Sequence, residues 1–190
     1  MQYLKSLIPI AVCLLLLTAC SQQKARNPIS QSSGTFMKES IDRNKKLIAG
    51  EELKIDALIK QDTVNKYIAS SKGYWYRYDQ KNTSDTLRPK KGDVAHFTYE
   101  IKDLDGNVVY SELELRPQTY RVDKEQKMII GLRHGLKLMH KNERVTFLFP
   151  SHLAYGYHGD NRRIRQNVPL IYTVSLTDFT TENSTTTSEQ

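Results

Sequence analysis

Between residues 36 and 71, apolar side chains recur at helical intervals: Met37, Ile41, Ile48, Ile55, Leu58, Ile59, Val64, Tyr67 and Ile68. Steps of three, four and seven place them on one stripe and predict amphipathic helix. Gly50 interrupts the pattern, so two helices are expected. The stripe can pack on its own domain, pair with a second copy or meet a partner, and the pattern leaves these open. Beyond Ser71 the period shortens. Gly73-Tyr74-Trp75-Tyr76-Arg77-Tyr78 reads as an aromatic strand over a core. After a turn at Pro89-Lys90-Lys91-Gly92-Asp93, Val94 to Lys102 alternates strictly, with Ala95, Phe97, Tyr99 and Ile101 on one face. Asp105-Gly106-Asn107 supplies hairpin-turn chemistry before the strand Val108-Val109-Tyr110. Tyr120 to Val122 is a weak strand, Met128 to Met139 a helix, and Val145 to Phe149 and Leu170 to Leu176 are strands. Many antiparallel strands with one internal helix predict an α+β domain.

The N-terminal residues follow a different rule. Residues 1–19 hold one early charge, Lys5, and an apolar run from Leu7 to Leu17. A spanning helix needs roughly 20 apolar residues, so this run reads as a signal peptide. Leu17-Thr18-Ala19-Cys20 resembles the lipobox of bacterial lipoproteins, which implies that Cys20 is lipidated and starts the mature chain. Cys13 leaves with the signal, so Cys20 has no disulfide partner. The expected organisation is signal (1–19), flexible tether (20–35), helical segment (36–72), folded domain (73–179) and a disordered Ser/Thr-rich tail (180–190). The expected place is the periplasm-facing cell envelope, with the outer membrane favoured because Ser21, not aspartate, follows the anchor.

Charge changes little. Removing residues 1–19 takes only Lys5, so the net charge falls from +7 to +6. The basic residues are scattered, and no nucleic-acid partner is expected of a secreted lipoprotein.

Common chemistries are hard to build here. His134 and His140 are six apart on the expected helix, and His152 and His158 have only Asp160 nearby, which is no zinc pattern; no metal or cofactor is expected. There is no Gly-x-Ser-x-Gly, no base marks Ser111 or Ser151 as a nucleophile, and the glycines form no phosphate loop. Met128-Ile129-Ile130-Gly131-Leu132 and Leu153-Ala154-Tyr155-Gly156 instead predict an apolar pocket with an aromatic wall. One reaction needs no more than that. Prolyl cis/trans isomerisation breaks no bond, and its barrier of about 18–20 kcal/mol is lost amide resonance. A pocket that excludes water and prefers the twisted amide lowers it.

In order, Val94 to Tyr99, Leu104-Asp105-Gly106, Val108-Val109-Tyr110-Ser111, Gly131-Leu132 to Gly135-Leu136, Leu153-Ala154-Tyr155-Gly156 and Gly159 to Ile164 resemble the FKBP-type peptidyl-prolyl isomerase domain. The resemblance implies an antiparallel sheet wrapped around one short helix. It also implies roles: Phe97 and Tyr110 as aromatic walls, Met128 and Ile129 at the helix entrance with the Ile129 N–H toward a substrate carbonyl, and Leu132 as floor. Tyr155 supplies a hydroxyl, while Ile164 and Tyr172 close the remaining side. Tyr155, Phe97 and Ile129 are the expected catalytic residues, and the others, with Ser111, line the substrate.

Three departures stand out. Ser111 replaces an aspartate that orients the family's pocket, Leu132 replaces a frequent Trp, and Ile164-Arg165-Gln166-Asn167 replaces Ile-Pro-Pro, which predicts a less rigid flap. The whole layout resembles gliding-motility-associated FKBP lipoproteins. The implied function is a cell-envelope isomerase, slow if these departures matter, acting on proline-containing exported polypeptides. The alternative is a non-catalytic proline-peptide-binding or assembly module that recruits a partner, or a dimer, through residues 36–72.

Overall fold

The computed structural model describes residues 33–181. The chain divides into two units at Ser40/Ile41, and the described part of the first is the start of a helix. That helix, α1 (Ser33–Gln61), is continuous and corrects the expected break at Gly50. A mid-helix glycine costs about 1 kcal/mol, and burial of Glu51 and Ile55 in the next turn offsets it. The stripe is only partly used, because Phe36, Met37 and Ile41 stay exposed. The helix also ends ten residues early. The Asp62 carboxylate accepts the Asn65 N–H (3.1 Å) and the Tyr67 hydroxyl (3.2 Å), a local alternative to helical bonding that turns the chain away. Val64 is left exposed, and Ile68 enters a two-residue strand, β1 (Ile68–Ala69). Among the described residues no helix is long and apolar enough to cross a membrane.

The remaining strands are β2 (Trp75–Gln80), β3 (Val94–Lys102), β4 (Val108–Tyr110), β5 (Gln118–Arg121), β6 (Glu143–Phe149) and β7 (Leu170–Thr180). They form one antiparallel sheet in the order β1-β2-β6-β7-β3-β4, with β5 also on β3. β3 has the predicted bounds, and its Ala95, Phe97 and Ile101 are buried as the alternation requires. The β3–β4 hairpin turns at Gly106, whose φ of 87° suits glycine. β7 runs past the predicted Leu176 because it pairs with β3 as far as Val94.

Helix α3 (Ile130–Leu136) is shorter than the predicted Met128 to Met139. Leu138 and Met139 instead bond back three residues, to Gly135 and Leu136, and Met139 is fully buried. Gly131 and Gly135, one turn apart, explain how α3 lies so close to the sheet. A Cβ at Gly131 would stand 2.6 Å from the Phe149 ring, and one at Gly135 2.8 Å from the Phe147 ring. Those two rings are stacked on β6, with centroids 5.4 Å apart.

Candidate functional site

Alternation on β3 turns Phe97 inward, and Phe97, Leu132, Ile164 and Tyr172 are buried in one hydrophobic cluster. Tyr110, Met128, Ile129 and Tyr155 are half-buried against it. Tyr110 and Tyr172 both pair with Ile101, from β4 and β7, so they share its face. Tyr99, which carries no predicted role, links the walls: its ring stacks 5.8 Å from Phe97 and 5.7 Å from Tyr172. Phe149 meets the Tyr172 ring edge-on at 5.5 Å.

Two polar groups can act in these surroundings. Ile129 is the N-cap of α3 with extended ψ (149°), and its N–H has no acceptor among the described residues. Such an N–H, at a helix N-terminus beside apolar side chains, is free to meet a carbonyl. The second is the Tyr155 hydroxyl. Burial raises the pKa of Tyr155, while Tyr172, acting as donor toward it, works in the opposite sense. Burial likewise holds Tyr172 well above the usual phenol range and pushes Tyr99 up to about 12. All three stay protonated near neutral pH, so Tyr155 keeps an O–H to donate.

The Ser111 hydroxyl accepts the Glu114 N–H and caps the four-residue helix α2 (Glu112–Leu115), which leaves its own O–H to donate. A carboxylate does reach Tyr110, from the turn at residues 159–164. Asp160 accepts the Tyr110 hydroxyl at 2.5 Å through Oδ2. Its Oδ1 accepts the backbone N–H groups of Arg162, Arg163 and Ile164 at 2.8, 3.0 and 2.8 Å. Burial opposes ionisation of Asp160, but these donors prevail and its pKa is lowered; the Tyr110 pKa is raised, chiefly by the same hydrogen bond. Arg163 lies over the Tyr110 ring at 4.8 Å and donates to the Val109 carbonyl and the Glu114 carboxylate.

These bonds order the turn that leads into Ile164-Arg165-Gln166-Asn167. Proline would have restricted the backbone; here a carboxylate gathers it. Asp160, Arg163 and Glu114 carried no predicted role. Gly159-Asp160-Asn161 was the available signal, because an Asp in a Gly/Asn turn commonly bonds the backbone ahead of it. Cys20 lies outside the described residues. Among those described, no three metal-ligating side chains gather. A separate open cleft of about 630 Å³ lies between the β2–β3 loop and His140, lined by charged and polar groups such as Lys81 and Arg88; it includes none of the predicted prolyl-site residues.

Comparison with known proteins places this geometry. The FKBP-type peptidyl-prolyl cis-trans isomerase family pattern matches residues 85–177. A probable FKBP-type peptidyl-prolyl cis-trans isomerase, FkpA, from Neisseria meningitidis is 24% identical over 140 residues, 73% of this chain and 50% of the relative. Human peptidyl-prolyl cis-trans isomerase FKBP9 is 28% identical over 90 residues, 47% of this chain and 16% of the relative. The chain thus spans half the length, or less, of these curated relatives. FkpA from Escherichia coli has a similar fold, with a TM-score of 0.58 at 23% identity over 91% of this chain and 81% of that one. A peptidyl-prolyl cis-trans isomerase from Pseudomonas syringae gives 0.57 at 19% identity, covering 72% of this chain and 95% of that one. The fold is therefore FKBP-like, an antiparallel sheet around a short helix preceded by an N-terminal helix, and residues 85–177 match the FKBP-type peptidyl-prolyl cis-trans isomerase family.

Proposed function

We propose that this protein catalyses prolyl cis/trans isomerisation at the cluster of Phe97, Tyr110, Met128, Ile129, Leu132, Tyr155, Ile164 and Tyr172. The observation that carries it is an unengaged Ile129 N–H and a protonated Tyr155 hydroxyl beside apolar and aromatic walls. The prolyl ring packs against Phe97 and Leu132, and the Ile129 N–H holds a substrate carbonyl. Excluding water removes hydrogen bonds that favour the planar amide, and the Tyr155 O–H stabilises the twisted form. No bond breaks, so no nucleophile or acid-base pair is required.

The test is a proline tetrapeptide assay on the chain from residue 20 to residue 190. Catalysis above the spontaneous rate is expected. Tyr155→Phe should lower kcat/KM roughly tenfold, equivalent to about 1.4 kcal/mol of transition-state stabilisation. Phe97→Ala should cost more, with circular dichroism confirming the fold. Folded wild-type protein that turns over no faster than the uncatalysed reaction would leave only binding of proline peptides.

The setting is the cell envelope, with Cys20 as lipid anchor, the outer membrane as its site and proline-containing exported chains as clients. The lipobox resemblance supports the anchor. Clients among gliding-motility components rest on the resemblance of the overall layout alone. Mass spectrometry of the membrane-extracted protein tests the anchor: an acylated peptide beginning at Cys20 is expected.

A further inference from the structure

We infer that Glu51, on α1 and outside residues 85–177, is a positioning residue for Tyr155; this rests on the prolyl-site reading above. Glu51 is 5% exposed and forms no ion pair with the described residues. Burying a carboxyl group is costly unless it is hydrogen-bonded, and both of its oxygens are engaged by one residue. Ser151 donates its N–H to Oε2 and its hydroxyl to Oε1, each at 2.7 Å. Ser151 is itself only 1% exposed. Its carbonyl then accepts the N–H groups of Ala154 (3.0 Å) and Gly156 (2.8 Å), the residues on either side of Tyr155. The Gly156 carbonyl in turn accepts the Asn167 N–H at 2.8 Å, fixing the far end of the flap.

Tyr155 therefore sits in a turn tied through Ser151 to one carboxyl group of α1. Without both Glu51 acceptors, the buried Ser151 donors have no partner and the turn must shift to find one. A small displacement of a catalytic hydroxyl is enough to slow turnover. Helix α1 is thus part of the site and not a spacer in front of it.

The test uses the chain from residue 20 to residue 190 with 13C-labelled tyrosine, the Tyr155 signal being assigned by its loss in Tyr155→Phe. Glu51→Leu keeps a similar volume but offers Ser151 no partner, whereas a glutamine can accept the Ser151 N–H and donate to its hydroxyl oxygen, keeping both links. The Tyr155 signal should move while those of Tyr78 and Tyr120 stay. In the tetrapeptide assay, Glu51→Leu should lower kcat/KM about fivefold to tenfold in the wild-type background, and less than twofold in the Tyr155→Phe background. An unmoved Tyr155 signal, or an equal loss in both backgrounds, overturns the inference. If Glu51→Leu does not fold, Ser151→Ala, which keeps the backbone donor, is read in the same way. The NMR measurement needs no turnover. A moved Tyr155 signal in an inactive protein keeps the positioning role and rejects the isomerase reading, whereas an active protein with an unmoved signal does the reverse.

Discussion

Asp160 shows how one side chain can order its own turn and reach a neighbouring strand. Asp160 accepts the Tyr110 hydroxyl at the end of β4, and Ser111, the next residue, caps α2. Asp160→Asn should return Tyr110 toward the ordinary phenol pKa and speed amide exchange at Arg162, Arg163 and Ile164, seen by ultraviolet titration and hydrogen exchange. The pH dependence follows from its lowered pKa. The stability Asp160 contributes is present above its unfolded value of 3.8 and is lost as pH falls through the lower native value. The amide shifts of these three residues should hold steady down to about pH 4 and change below it. The buried tyrosines act at the other extreme. Tyr99, Tyr155 and Tyr172 have raised pKa values because burial opposes their ionisation. Their contribution is complete below pH 10 and is lost as pH rises through the native values, about 12 for Tyr99. Chemical denaturation repeated from pH 8 to 11 should show stability falling once pH exceeds 10.

Among the elements, α3 owes its position to what it lacks. Its two glycines let it lie against Phe149 and Phe147, which keeps Ile129 and Leu132 beside the aromatic walls. Gly131→Ala and Gly135→Ala should each destabilise by about 1–3 kcal/mol through overpacking, although alanine is the better helix former. Urea unfolding measures this, and a gain in stability would show that the rings move aside freely. Most strands were legible from alternation and turn residues, because a strand with one buried face must alternate. Helix limits were not. Apolar spacing continues through Val64, Tyr67 and Ile68, yet the Asp62 hydrogen bonds end α1, and Met139 is apolar for the core and not for a longer α3.

At the scale of the molecule, the folding unit exceeds the family segment. β2 lies outside residues 85–177 but pairs along β6, and Tyr74 just before it is buried against Phe147 and Phe149. A fragment 85–181 would expose the β6 edge and one side of this aromatic cluster. It should show no cooperative thermal transition, whereas 41–181 should melt as one unit; calorimetry on both decides. Phe97, Tyr110, Met128, Ile129, Leu132, Tyr155, Ile164 and Tyr172 were named through the resemblance to the FKBP-type domain, and the structure places all eight in or against one cluster. The linear pattern could not show that Asp160 bonds Tyr110, or that Glu51 holds the turn of Tyr155. Those bonds join residues 50 and 100 positions apart. Local periodicity by itself determined most of the strands and the inward face of β3. Only the tertiary structure decided which polar groups hold that site in place, because a hydrogen bond across such separations depends on where the packed core brings its two ends.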